Sequence, residues 1–212
     1  DNWGQVKKLV ASDGGGADYF GYSVAISGDR IVVGVVWGEA AYLYERDAGG
    51  ADNWGEVKKL VAADGTTFDY FGGTVDISGD TVAVGAYNED DRGNNAGAVY
   101  LFNRNQGGPG AWGQVKKVHG FGIGEADTFG RYLALDGDTL AVAAPNDDER
   151  ESNAGAAYIF ERHRGGAENW GEARKIRVRD MSTSGFFSWG IGLDGDNLAI
   201  GAYNAYNMYG VK

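Results

Sequence analysis

The chain has 212 residues, and its 30 acidic and 19 basic side chains leave a formal net charge of −11. That balance repels nucleic acid and anionic membrane surfaces, so neither is expected as a partner. The absence of cysteine excludes a disulfide framework, a thiolate metal site and a cysteine nucleophile, while 13% aromatic and 43% apolar residues exclude a disordered chain.

Internal repetition dominates the sequence. Trp3, Trp54, Trp112 and Trp170 head similar segments at spacings of 51, 58 and 58 residues, and the pairs Gly28-Asp29, Gly79-Asp80, Gly137-Asp138 and Gly195-Asp196 keep the same spacings. Two independent markers in one register define tandem units, starting near residues 1, 52, 110 and 168, within a single domain over 1–212. In the first unit the order is a strand WGQVKKLVA from Trp3, a strand FGYSVAIS from Phe20, a strand RIVVGV from Arg30 and a strand AAYLYER from Ala40. Each is rich in Val, Ile, Tyr and Phe and is bounded by Gly, Asp or Asn. Gly28-Asp29 is a two-residue hairpin connection in which glycine supplies the positive φ that strand twist requires. No apolar stripe of 3.6-residue period predicts a helix.

The third strand is apolar on both faces, whereas the Trp strand carries Lys7 and Lys8 as a solvent-facing edge does. A four-stranded sheet of this kind cannot cover both faces alone, and packing successive sheets around an axis covers them. The expected fold is all-β, a propeller of four four-stranded antiparallel blades. The chain opens on a Trp strand and ends, at Tyr209 to Lys212, on an AAYLY-type strand. Residues 1 to 11 are therefore expected to complete the sheet begun near Phe187 and to close the ring.

The pattern FGxxVAISGD, then VxVGA, then GAxYxF resembles FG-GAP repeats, the units of the integrin-α-type propeller, in their bacterial short-hairpin variety. Phe20-Gly21, Phe71-Gly72 and Phe129-Gly130 carry the FG pair, and Gly34-Val35-Val36, Gly85-Ala86-Tyr87, Ala143-Ala144-Pro145 and Gly201-Ala202-Tyr203 the GAP position. The fourth unit has Phe187-Ser188 instead of FG. The resemblance spans essentially the whole chain and implies a non-enzymatic binding or adhesion module, secreted or at the cell surface, whose ligand is a glycan or a cell-surface protein. A structural or protein–protein scaffold is the other reading. Four units, against the seven blades usual in the family, leave a closed monomer, a homodimer or a part of a larger propeller open. The first residue is Asp1, and no signal peptide or long apolar run is present, as in a processed form, a fragment or a trimmed chain.

Catalytic motifs are missing. His119 and His163 lie in different units and are expected at the surface, and no Ser-His-Asp order, HExxH or nucleophile elbow occurs. The repeated Trp and Phe residues are read as blade-to-blade packing. Function is sought where the units differ. Units two and three, spaced 58 rather than 51, carry seven additional residues in the loops NEDDRGNN from Asn88 and NDDERESN from Asn146. Asp90, Asp91, Asp147, Asp148 and Glu149 offer oxygens that suit calcium, but without the alternating spacing of an ordered cage, and a solvated acidic loop is the simpler reading; no cofactor is required. Trp37 aligns with Asn88, Asn146 and Asn204, with Tyr87 and Tyr203 one position earlier. These six residues are the candidate ligand-binding set, as exposed aromatics stack on sugar faces. Trp37 folding over its short loop, and Asx turns at the asparagines, are the structural alternatives. Position 22 also varies, as Tyr22, Gly73, Arg131 and Trp189, and Asp76 replaces an alanine on the innermost strand.

Overall fold

The computed structural model describes residues 4–178 and 185–203. Three four-stranded antiparallel sheets and one two-stranded sheet follow one another along the chain. The first holds β1 (Phe20–Ser27), β2 (Arg30–Val35), β3 (Ala40–Glu45) and β4 (Gly55–Leu60). The second holds β5 (Phe71–Ser78), β6 (Thr81–Ala86), β7 (Ala98–Asn103) and β8 (Gly113–Val118). The third holds β9 (Tyr132–Asp136), β10 (Thr139–Ala144), β11 (Ala156–Glu161) and β12 (Gly171–Ile176), and the last holds β13 (Phe187–Asp194) and β14 (Asn197–Ala202). Among the described residues there is no helix, and so none long and apolar enough to cross a membrane.

Strand order is simple and the swap between units is the informative part. β4, β8 and β12 each belong to the next Trp-headed unit, yet each pairs with the last strand of the preceding one. Each complete blade is thus three strands of one unit plus the Trp strand of its successor. The hairpins over Gly28, Gly79, Gly137 and Gly195 all place glycine at φ 54 to 57°, where a Cβ is strained.

The cores lie between blades, because an alternating strand offers one apolar face to each neighbour. The first joint buries Val32, Ala41, Leu43 and Leu60 against Phe71, Val75, Ile77, Val84, Tyr100 and Trp112. The second buries Val99, Leu101 and Val118 against Phe129, Leu140, Val142, Tyr158 and Trp170. Phe71 and Phe129 meet Tyr100 and Tyr158 edge-on at 5.4 and 5.2 Å. Trp112 and Trp170 are buried at the joints, as expected for packing residues, and are covered by the guanidinium groups of Arg30 and Arg162 at 5.6 and 5.3 Å.

Asp76 ties two blades together. Its carboxylate accepts N–H bonds from Ile77 (2.8 Å) and, across the joint, from Leu135 (2.7 Å), and burial raises its pKa. His163 is exposed, but His119 is not the surface residue the sequence suggested. Its Nδ1 lies 3.2 Å from the Gly97 carbonyl oxygen, and burial lowers its pKa.

Residues 4–11 form no strand. Leu9 and Ala11 instead pack on the open face of the first blade, beside Val33, Val35 and Tyr42, as Leu60 and Ala62 pack on the second. The likeness extends to polar contacts. Ser12 bonds Glu56, Ala63 N–H donates to Gln114 and Phe121 N–H donates to Glu172, at three equivalent positions. The amino-terminal segment therefore holds the place of an outer strand of a preceding blade. Its expected partner strand, at Tyr209 to Lys212, lies outside the described residues.

Candidate functional site

One end of the propeller gathers the loops after β2, β6 and β10 with the entries to β1, β5, β9 and β13. Each entry residue before the FG phenylalanine (Tyr19, Tyr70, Thr128 and Phe186) has a positive φ, 45 to 60°, in the left-handed region. Holding a non-glycine residue there costs about 1 kcal/mol. A register shift follows in β1, β5 and β13, between Phe20 and Ser23, Phe71 and Thr74, and Phe187 and Gly190. Such bulges re-aim side chains. In β1 and β13 they turn Tyr22 and Trp189 onto the rim, and Arg131 stands at the equivalent place before β9.

The result is a row of rings. Tyr19 stacks on Trp37 at 5.8 Å with 28° between planes, Trp37 meets Tyr70 at 6.1 Å, and Tyr70 meets Tyr87 at 5.3 Å. The Arg131 guanidinium lies 4.2 Å over the Tyr87 ring. Beyond it Trp189 contacts Tyr132, Phe186 and Tyr203 at 6.1, 5.2 and 5.6 Å. Tyr87, Asn88, Arg131, Asn146 and Trp189, with Thr128 and Pro145, line a cleft of about 180 Å³. Burial, then the neighbouring Tyr22, push the Tyr87 phenol up to about 12, so it stays a neutral O–H at physiological pH.

Five of the six residues expected from sequence are thus distributed along one rim. Tyr87, Asn88 and Asn146 meet in the central cleft. Trp37, 54% exposed, flanks it on one side, and Tyr203 lies on the other. Trp37 is exposed while one part of its ring rests on Tyr19 and Tyr70. Asn204 lies outside the described residues. Arg131 and Trp189, notable in sequence only as variable, prove central, and Tyr70 links Trp37 to the cleft. Gly73, the fourth variant at that position, makes room for the Tyr87 ring, which a Cβ there would strike.

The acidic loops are solvated at Asp90, Asp91, Asp148 and Glu149, as expected, but not throughout. Glu89 and Asp147 are buried, because lysines of the outer strands reach them. Lys117 Nζ lies 2.8 Å from Glu89 and 2.6 Å from Asp91, and Lys175 Nζ lies 2.6 Å from Asp147 and 2.7 Å from Glu149. Glu89, Asp91 and His119 are grouped closely enough to share a metal ion. The Lys117 ammonium already supplies positive charge to both carboxylates, so the donor set does not fit a calcium cage.

Asp127, also buried, has one carboxylate oxygen without a partner, and burial, with Asp147 and Asp148 nearby, raises its pKa from 3.8 to about 6. The folded state therefore favours the protonated form. No penalty exists below about pH 4, and it grows until the pH passes about 6. Asp127→Asn is expected to raise stability at pH 7.5 by about 2 kcal/mol, a gain that fades below pH 4. Urea unfolding of both proteins at the two pH values checks this.

Comparison with known proteins agrees with this geometry. The FG-GAP repeat family matches residues 3–51, 54–102 and 112–160. The chain belongs to the FG-GAP repeat family. Among solved structures, the computationally designed Ika4 protein is similar with a TM-score of 0.57, at 11% identity over 94% of each chain. Kluyveromyces lactis Hsv2 aligns with a TM-score of 0.51 at 14% identity, over 84% of this chain and 44% of its own. The Cps50 (Swd1) β-propeller domain of Myceliophteria thermophila aligns with a TM-score of 0.48 at 14% identity, over 87% of this chain and 50% of that one. The chain spans half or less of those last two structures. At these identities the likeness to Ika4 and Hsv2 concerns the fold alone, and by its repeats the molecule is an FG-GAP β-propeller. None of the curated proteins matches its sequence.

Proposed function

We propose that this FG-GAP propeller is a non-enzymatic recognition module, secreted or at the cell surface, that binds glycans along the aromatic rim. The observation that carries this reading is the row of rings from Tyr19 to Tyr203, interrupted by the Arg131 cleft. Aromatic faces stack on the apolar face of a sugar ring, while an arginine fork and asparagine amides supply directional hydrogen bonds. The ring closes when the amino-terminal segment takes the outer place in a carboxy-terminal blade, a reading that the seating of Leu9 and Ala11 supports.

A glycan array with wild type, Trp37→Ala and Arg131→Ala tests the site. Trp37→Ala is expected to weaken binding about tenfold, as one lost stacking contact of this kind is worth about 1.4 kcal/mol. Arg131→Ala is expected to weaken it further. Retention of full binding by both variants places the site elsewhere. A wild type that binds no glycan but captures a cell-surface protein through this rim favours the adhesion-scaffold reading, which the same exposed aromatics support.

A further inference from the structure

The geometry points to a second copy of this chain as the partner of the two unfilled blade faces: the last blade of one copy docks on the first blade of the other, giving a two-chain ring of eight blades. This rests on the proposed ring closure and assigns it to the neighbouring chain. On the first blade, Val24 and Ile26 are 66% and 65% exposed, whereas their equivalents on the second, Val75 and Ile77, are 8% and 4% exposed beneath the preceding blade. Successive sheets pack on one another, but among the described residues β13 and β14 make no comparable packing with β1 and β2. Among the described residues one chain thus presents both halves of a joint and does not join them.

Residues at the two faces match the internal joints position by position. Gly34 opposes the Gly72 carbonyl and Gly85 opposes that of Gly130, each so closely that a Cβ would collide. Where the next blade carries Ser188 in place of the FG glycine, the residue at the position of Gly34 and Gly85 is Ala143. The open face carries Gly201, although nothing crowds it, and the first blade offers Gly21, at φ 89° like Gly72 and Gly130. Glycine stands opposite glycine again. At the other end of the strands, Ser27, Ser78 and Asp136 accept the N–H of Gly79, Gly137 and Gly195. Asp194 is next in that series, and Gly28 is the donor it lacks. A head-to-tail joint of this kind closes when rotation permits, and two copies bring four blades each, within the range of known rings.

Mass in solution, by light scattering on the 212-residue chain, is the test. Wild type is expected at about twice its 22.5 kDa. Gly201→Val, whose side chain has room in the isolated chain, and the double change Val24→Lys with Ile26→Lys, at exposed positions, should each weaken association at least tenfold without altering the far-ultraviolet dichroism. A monomer at all accessible concentrations overturns the inference. In that case a chain lacking residues 1–11 separates the two ideas. If it melts lower, the clasp closes within one chain; if it melts unchanged, the clasp itself is wrong. A ladder of species growing with concentration also overturns the inference, since the joints would then form an open array.

Discussion

Replacing Glu39 by alanine is expected to remove about 3–5 kcal/mol of unfolding free energy, measured by urea denaturation, because three charge-assisted hydrogen bonds vanish together. The Glu39 carboxylate accepts from Phe68 N–H (3.0 Å), Tyr70 N–H (3.0 Å) and Phe71 N–H (2.7 Å) of the following blade. In the next joint the equivalent donors, Ala126, Thr128 and Phe129, bond instead to the carbonyls of Asn94, Asn95 and Ala96. Those carbonyls belong to the loop with seven additional residues. One side chain in the short loop thus replaces a stretch of backbone in the long one. Glu39→Gln keeps an acceptor and is expected to cost about 1–2 kcal/mol. A loss below 1 kcal/mol for the alanine variant shows that solvent can satisfy those donors.

Lys117→Ala is expected to cost a similar amount, about 3–5 kcal/mol, for a different reason. It leaves the Glu89 carboxylate, 3% exposed, buried without its counter-charge. Glu89 is already raised in pKa, chiefly by burial. Lys117 is held above its ordinary value: burial lowers it, but hydrogen bonds to Asp91, Glu89 and Asp64 outweigh that. Asp64 and Asp91 are half exposed or more, so their shares are small. Adding Glu89→Gln to Lys117→Ala should recover a large part of the loss in thermal and urea unfolding. No recovery shows that the lysine acts through its stem against Tyr100, over which it lies at 5.3 Å, and not through charge.

The blades were legible from sequence because two short-range signals coincide in every unit. The Gly-Asp turns fix each central hairpin, and strand alternation fixes which side chains enter a joint. Strand FGYSVAIS from Phe20 and strand RIVVGV from Arg30 appear with those bounds as β1 and β2. The first Trp strand did not appear as a strand, since its ladder depends on a partner from another blade; its counterparts at Gly55, Gly113 and Gly171 show the role it is built for. The candidate site was legible as variable positions but not as a constellation. Tyr87, Asn88 and Asn146 come from two different loops, and only the strand entries, whose turn geometry is invisible in sequence, bring Arg131 and Trp189 beside them. Glu39 escaped notice because a lone glutamate in a tight loop carries no pattern; only alignment against the longer loops, with their carbonyls in view, reveals what it substitutes for. The burial of Glu89 and Asp147 was hidden because their lysines lie on strands contributed by the following unit.

The exchange of outer strands between units has one more consequence. No repeat can melt by itself, since losing it strips an edge from the blade before and a lid from the blade after. A chain built of near-identical parts is thereby tied into one cooperative body, and its weakest place is whichever seam has not been sewn.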